Sequence, residues 1–201
     1  MNPDEPFSDE LERWVRSDDP KSLGAMNEVF GERSFAVTIV LLMAVPALPL
    51  PTGGISHVFE AITVVLAAQM VLGRRTIWLP SRLARRDLGA ATISKAIPFI
   101  ARRVRQIERF SHPRGAQFFA HRFSLRIVGL LVMVLAIGAA LAPPFSGLDT
   151  LPALGAVAIA LSIILEDVIV LAAGIAIGAG GLIVMVTVGA ALYRVVKSLF
   201  F

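Results

Sequence analysis

The chain has 201 residues, of which 56% are hydrophobic and only 17% charged, and its mean hydropathy is +0.74. A soluble domain of this size carries about 25% charged and about 45–50% apolar residues, so the surplus points to lipid and excludes an ordinary cytosolic enzyme. The absence of cysteine excludes a disulfide scaffold, a thiolate metal site and a cysteine nucleophile. His57, His112 and His121 are too scattered for a local metal motif, and no cofactor is expected.

The formal net charge of +4 conceals an asymmetry: residues 1–34 hold nine acids against four bases, net −5, which leaves +9 for the remainder. The opening lacks the basic-then-apolar pattern of a secretory leader and reads as an acidic tail. Within it Phe7, Leu11, Trp14 and Val15 recur at helical spacing, the pattern of a short amphipathic helix against a membrane or a partner; a partly disordered tail is the competing reading.

Apolar runs follow at residues 35–50, 55–72, 127–142, 148–165 and 168–192. A helix needs about 20 residues, at roughly 1.5 Å each, to cross a hydrocarbon core of about 30 Å. Only the last run is comfortably long. The other four form two pairs, 35–72 and 127–165, each joined by a break rich in proline and glycine: Pro51, Gly53 and Gly54 in the first, Pro143, Pro144 and Gly147 in the second. These read as helical hairpins, spanning or re-entrant, whose breaks must be covered by protein or water because unpaired amides are costly in lipid.

Between the pairs, the connector 73–126 carries thirteen Lys or Arg and only Asp87 and Glu108 as acids. Such an excess marks a loop retained in the cytoplasm. Ile97, Ile100, Val104 and Ile107 fall on one helical face while Arg102, Arg105 and Arg109 fall mostly on the other, the pattern of an interfacial helix on anionic headgroups. No aromatic platform or recognition motif accompanies the basic block, so no nucleic acid is expected as a partner.

Setting Pro51 against Pro144, an offset of 93, superposes two proline-broken passages followed by apolar runs. Duplicated halves with broken helices occur in secondary transporters, with the site at the breaks. Whether the halves run parallel or inverted depends on whether residues 88–101 enter the membrane. The fold class expected is all-α: a polytopic transmembrane helical protein of two broken-helix hairpin repeats, a final long transmembrane helix and an interfacial amphipathic helix. The segments are a tail over 1–34, a first repeat over 35–72, the connector over 73–126, a second repeat with the final helix over 127–193, and an end over 194–201.

Several short patterns then combine in order: Gly31-Glu32-Arg33, Pro46 with Leu48-Pro49-Leu50-Pro51, Gln69 with Gly73-Arg74-Arg75, Trp78-Leu79-Pro80, and Arg109-Phe110-Ser111-His112-Pro113-Arg114. Over roughly residues 30–193 the chain resembles the ExoD family of bacterial exopolysaccharide synthesis proteins. The resemblance implies a bacterial inner-membrane protein linked to exopolysaccharide production, with no assigned reaction. The chain departs from the family pattern at Glu60-Ala61-Ile62, so the resemblance assigns Glu60 no family-wide role.

A charge at the bilayer centre costs at least about 2.5–3.5 kcal/mol on insertion scales, which makes the few ionisable residues in the apolar runs the candidates for a site. His57 and Glu60, three apart, share a helical face and form a candidate proton-linked pair; the alternative is a wet position near the hairpin tip. Gln69 is either an interhelical hydrogen bond or a substrate contact. Asp149 is expected to cap the following helix. Glu166 and Asp167 are expected as a solvated, helix-ending pair, with convergence on Glu60 and Asp149 in one acidic vestibule as the sharper reading. Gly174 and Gly178 permit close helix contact, within the chain or across a homodimer.

No Gly-x-Ser-x-Gly, HExxH or phosphate-binding glycine loop is present, so no enzyme is expected. The functional expectation is a small transporter of a cationic or zwitterionic molecule, such as a basic amino acid, working as a homodimer because so short a chain does not readily enclose a pathway alone. The alternatives are a non-transporting scaffold of polysaccharide machinery and a protein handling polyprenyl-linked intermediates.

Overall fold

The computed structural model describes residues 6–48, 54–74, 76–78, 93–94, 97–108, 114–143 and 146–200. Pro51, Gly53, Pro144, Arg109 and residues 88–92 lie outside them. The described residues are mostly helical and include no extended strand. In chain order the helices are α1 (Phe7–Arg16), α2 (Leu23–Phe30), a 3-10 turn (Gly31–Arg33), α3 (Ser34–Met43), α4 (Gly54–Val71), α5 (Ile97–Glu108), α6 (Ala116–Ala120), α7 (Arg122–Ala140), α8 (Thr150–Leu165) and α9 (Val168–Phe200).

Two helices are long and apolar enough to cross a membrane, Arg122–Ala140 and the stretch Val168–Ala191 of α9. The apolar run 35–50 is not one helix, because α3 ends at Met43 and gives way to turns over 44–47. Ten residues reach roughly 15 Å, about half a hydrocarbon core. Pro46 follows three residues beyond, where its ring and missing N–H cannot continue a helix. Pro152, by contrast, stands in the first turn of α8, where an N–H has no intrahelical acceptor to lose.

The apolar helices pack as a ring: α3 against α4 and α8, α4 against α3 and α7, α7 against α4 and α8, with α9 laid mainly along α8. Contacts between neighbouring helices fix the directions. Gly129, early in α7, meets Met70 and Ala67, late in α4, so these two are antiparallel. Gly155 of α8 faces Gly178 of α9 while Gly174 faces Ile159, so these too are antiparallel, and Gly178 against Leu135 sets α9 parallel to α7. Arg33 at the start of α3 pairs with Glu166 at the end of α8. Hence α3, α7 and α9 run one way and α4 and α8 the other, and the bundle has a base, where α3, α7 and α9 begin, and an opposite tip.

Close approach of α8 and α9 depends on missing side chains. A Cβ on Gly155 would stand 2.5 Å from the Gly178 Cα, and one on Gly174 would stand 2.8 Å from the Ile159 backbone nitrogen. Gly174 and Gly178 thus pack within the chain. Small residues at a helix interface allow backbones to approach and gain dispersion contacts that lipid does not supply.

At the base the same hydrophobic core continues. The amphipathic spacing in α1 buries Phe7, Leu11 and Trp14 with Met26, Phe30, Ile97, Ala101 and Val104, and the Trp14 ring meets Phe30 edge-on at 5.5 Å. The acidic segment is therefore folded against the chain's own basic connector helix. Arg105 contacts Asp9 at 2.6 Å and Glu12 at 3.1 Å, and the hydrogen bond to Glu12, with the two carboxylate charges, raises the guanidinium pKa further. Arg105, expected on lipid headgroups, is engaged inside the chain instead, while Arg102 remains exposed.

Candidate functional site

On α4 the pattern of inside and outside is reversed relative to a soluble helix. Val58, Ile62 and Val65 face outward at 56%, 42% and 60% exposure, while Ser56, Glu60 and Thr63 are buried at 2%, 0% and 0%. The buried trio follows i, i+4, i+7, one helical stripe. Aliphatic side chains turned outward and polar ones turned inward are what a lipid surround selects.

Within the stripe the His57 Nδ1 lies 2.8 Å from Glu60 Oε2. The His57 side chain is 32% exposed and that of Glu60 is 0%, so the imidazole stands between the carboxylate and the outside. The other oxygen, Glu60 Oε1, is buried and has no hydrogen-bond partner among the described residues. Thr63 donates its hydroxyl to the Phe59 carbonyl at 2.9 Å, a back-bond that leaves the hydroxyl oxygen's lone pairs available. Asp149 stands at the entrance of α8, at the same tip end of the bundle where α4 begins. A buried carboxylate oxygen without a donor is costly, and a hydrogen-bond donor is what Oε1 lacks among the described residues.

The other expected site residues fall elsewhere. Gln69 accepts the Trp78 backbone N–H at 2.8 Å; nine residues beyond Glu60, it is about 13.5 Å away along the helix and fastens the chain leaving α4. Glu166 and Asp167 close the opposite end of α8, roughly 24 Å from Asp149 by helical rise, so the four acids do not converge in one vestibule. Nor are they a freely solvated pair. Asp167 is 2% exposed and its Oδ1 caps α9 by accepting the Ile169 N–H at 2.8 Å. Glu166 has φ +51, a left-handed conformation costing roughly 1–2 kcal/mol in a residue with a Cβ. Its side chain pairs with Arg33 at 3.2 Å and its carbonyl accepts the Gly115 N–H at 2.8 Å, contacts that hold it there.

Asp149 does not cap α8 through its side chain; only its backbone carbonyl is used, by the Ala153 N–H at 2.9 Å. Of the break residues, Gly147 adopts φ +67, which glycine accepts without penalty. The Pro143 carbonyl accepts the Ser146 N–H and hydroxyl at 3.2 Å and 2.6 Å, and Gly54 opens α4.

Three contributors were not singled out from the sequence. Ser56 and Thr63 complete the stripe and are visible as polar residues at helical spacing from Glu60. Asn27 clasps the backbone of Ile77 from both sides, accepting its N–H at 3.0 Å and donating to its carbonyl at 3.1 Å. No local pattern announces that contact, which joins residues 50 apart. No group of three or more metal-ligating side chains occurs among the described residues.

These features define the class: an all-helical protein of membrane type, with two helices of spanning length and a polar stripe sequestered inside. The family model "Exopolysaccharide synthesis, ExoD" matches residues 7–187. The chain belongs to the ExoD family. It is 26% identical over 155 residues to the uncharacterized protein slr1875 of Synechocystis sp., covering 74% of this chain and 70% of that one. It is also 27% identical over 147 residues to Protein ExoD of Rhizobium meliloti, covering 72% of this chain and 60% of that protein. No solved structure matches.

Proposed function

We propose that the chain is a multi-pass protein of the bacterial inner membrane that carries a small, positively charged or zwitterionic solute past Glu60, His57 and Asp149. The observation that supports this best is the fully buried Glu60 carboxylate with one oxygen unpartnered among the described residues, inside a helix whose outer face is aliphatic. A group kept at such cost usually serves a pathway or a ligand. Association with exopolysaccharide synthesis comes with the family, and the solute would be one moved by cells that make such polymers.

The two hairpins act as parallel repeats. Helices α3 and α7 point the same way, and burial agrees at the 93-residue offset: Phe35 with Val128, Ile39 with Val132, Glu60 with Ala153, Thr63 with Ala156 and Ala67 with Ala160 are all buried. The basic connector favours a cytoplasmic base, which sets the His57–Glu60 end toward the opposite side. The charged faces of α1 and α5 engage each other, which weighs against their serving as docking surfaces of a scaffold. A homodimer completes the pathway, the outward aliphatic face of α4 or α9 being its contact.

Full-length protein in liposomes is expected to accumulate labelled lysine or methylammonium, with uptake lost in Glu60→Gln and reduced in Asp149→Asn. Unchanged flux in both variants would remove the assignment.

A further inference from the structure

Resting on this reading of the site, a statement about what moves with the solute follows from its charge inventory. Between residues 34 and 72 the sequence contains only two ionisable side chains, His57 and Glu60, and between 127 and 165 only one, Asp149. The elements packed on α4 are α3 and α7. Helix α3, Ser34–Met43, has no ionisable residue, and those of α7, Arg122 and Arg126, stand at the base. Helix α8 brings Asp149 to the tip, whereas Glu166 and Asp167 close its base end. Among the described residues, α3, α7 and α8 therefore bring no fixed cation to the tip end where Glu60 lies.

The geometry points to a proton-for-cation exchange site: His57 and Glu60 hold one exchangeable proton between them, and that proton leaves when a positively charged solute docks on the free Glu60 oxygen. The balance is simple. One positive charge enters at Oε1, one proton departs through the His57 ring to water, and no covalent bond to carbon changes. The site's net charge is the same before and after.

Constancy of charge is the physical reason for the coupling. An uncompensated charge held in an apolar helix costs several kcal/mol, so the states with neither or both cations are the expensive ones. The proton has a route: His57 bonds Glu60 at 2.8 Å and is itself one-third exposed, while Glu60 has no exposure of its own. His57 acts here as a positioning and relay residue, and Glu60 as the binding group. The roles of Ser56 and Thr63 are to offer oxygen to the arriving cation on the same buried stripe.

The test has two arms, each on the full chain in lipid nanodiscs. Infrared difference spectra between acidic and alkaline buffer are expected to show one protonated-carboxyl band that disappears in Glu60→Gln and persists in Asp149→Asn and in the conservative Glu60→Asp. A wild-type spectrum without the band, or a band that survives Glu60→Gln, would overturn the proposal without bearing on solute uptake. In weakly buffered solution containing a pH indicator, methylammonium is then added, and about one proton is expected to appear for each methylammonium bound. His57→Gln is expected to slow that release while leaving its stoichiometry. Binding with no proton released would overturn the exchange and leave the transport reading standing. The folding of each variant is checked by monodisperse elution and unchanged helical circular dichroism.

Discussion

Helices α4 and α8 fill their inward faces oppositely. In α4 the buried face holds Ser56, Glu60 and Thr63; in α8 the positions 93 residues later hold Asp149, at the helix entrance, then Ala153 and Ala156. The second hairpin uses its small residues to bring α9 close, with Gly155 against Gly178, and becomes a tight, dry pair. The first leaves a carboxylate oxygen without a donor among the described residues. One half is built for cohesion and the other keeps an unmet polar demand, which is what separates a scaffold from a site.

Breaking the cohesive half is expected to have the largest effect. Gly155→Val would drive a branched side chain into the Gly178 backbone, which cannot yield as a flexible side chain would. The expected loss is about 3 kcal/mol or more, read as a large drop in the detergent melting temperature. By comparison, a Cβ on Gly180 meets nothing within 4 Å, so Gly180→Ala is expected to be neutral or to stabilise by up to about 1 kcal/mol through helix propensity.

Exchanging the character of the two halves comes next. Ala153→Glu places an unpaired carboxylate at the position equivalent to Glu60, but without a histidine one turn before it. The expected loss is about 2.5–3.5 kcal/mol. Glu60→Leu removes a buried unsatisfied group, so stability is expected to hold or rise while uptake disappears. Equal destabilisation by both substitutions would mean that Glu60 is a structural group and not a binding one.

Smaller effects belong to the base. Asn27→Ala strips both backbone partners from Ile77, with an expected loss of about 1–3 kcal/mol and local loosening of residues 76–78 in hydrogen exchange. The contacts of Arg105 with Asp9 and Glu12 lie at the surface and are screened by salt. Arg105→Ala is expected to change melting little at low salt and not at all at high salt, with α1 still held by Phe7, Leu11 and Trp14.

Much of this was legible in the residues. The helical class, the amphipathic faces of α1 and α5 and the His57–Glu60 pair all follow from local spacing. What was not legible depends on partners distant in the chain. Nothing near Asp149 shows that its carboxylate leaves the helix end uncapped, and nothing near Glu166 shows that Arg33, 133 residues away, awaits it. The expected acidic vestibule failed for a geometric reason: α8 is a continuous helix, and a continuous helix keeps its ends apart. The docking of α1 on α5 likewise depends on chain folding, although the opposite charges of the two segments foreshadowed it.

Because the chain contains no cysteine, a single introduced thiol can be followed without background. Thr63→Cys and Ala156→Cys occupy equivalent buried positions in the two hairpins, both 0% exposed. In native membranes a small water-soluble thiol reagent is expected to label the first, with labelling slowed by the transported solute, and to leave the second untouched. Equal labelling of the two, or none of either, would contradict the proposal that the Ser56–Glu60–Thr63 stripe, and not the corresponding alanine positions of α8, lines the solute's path.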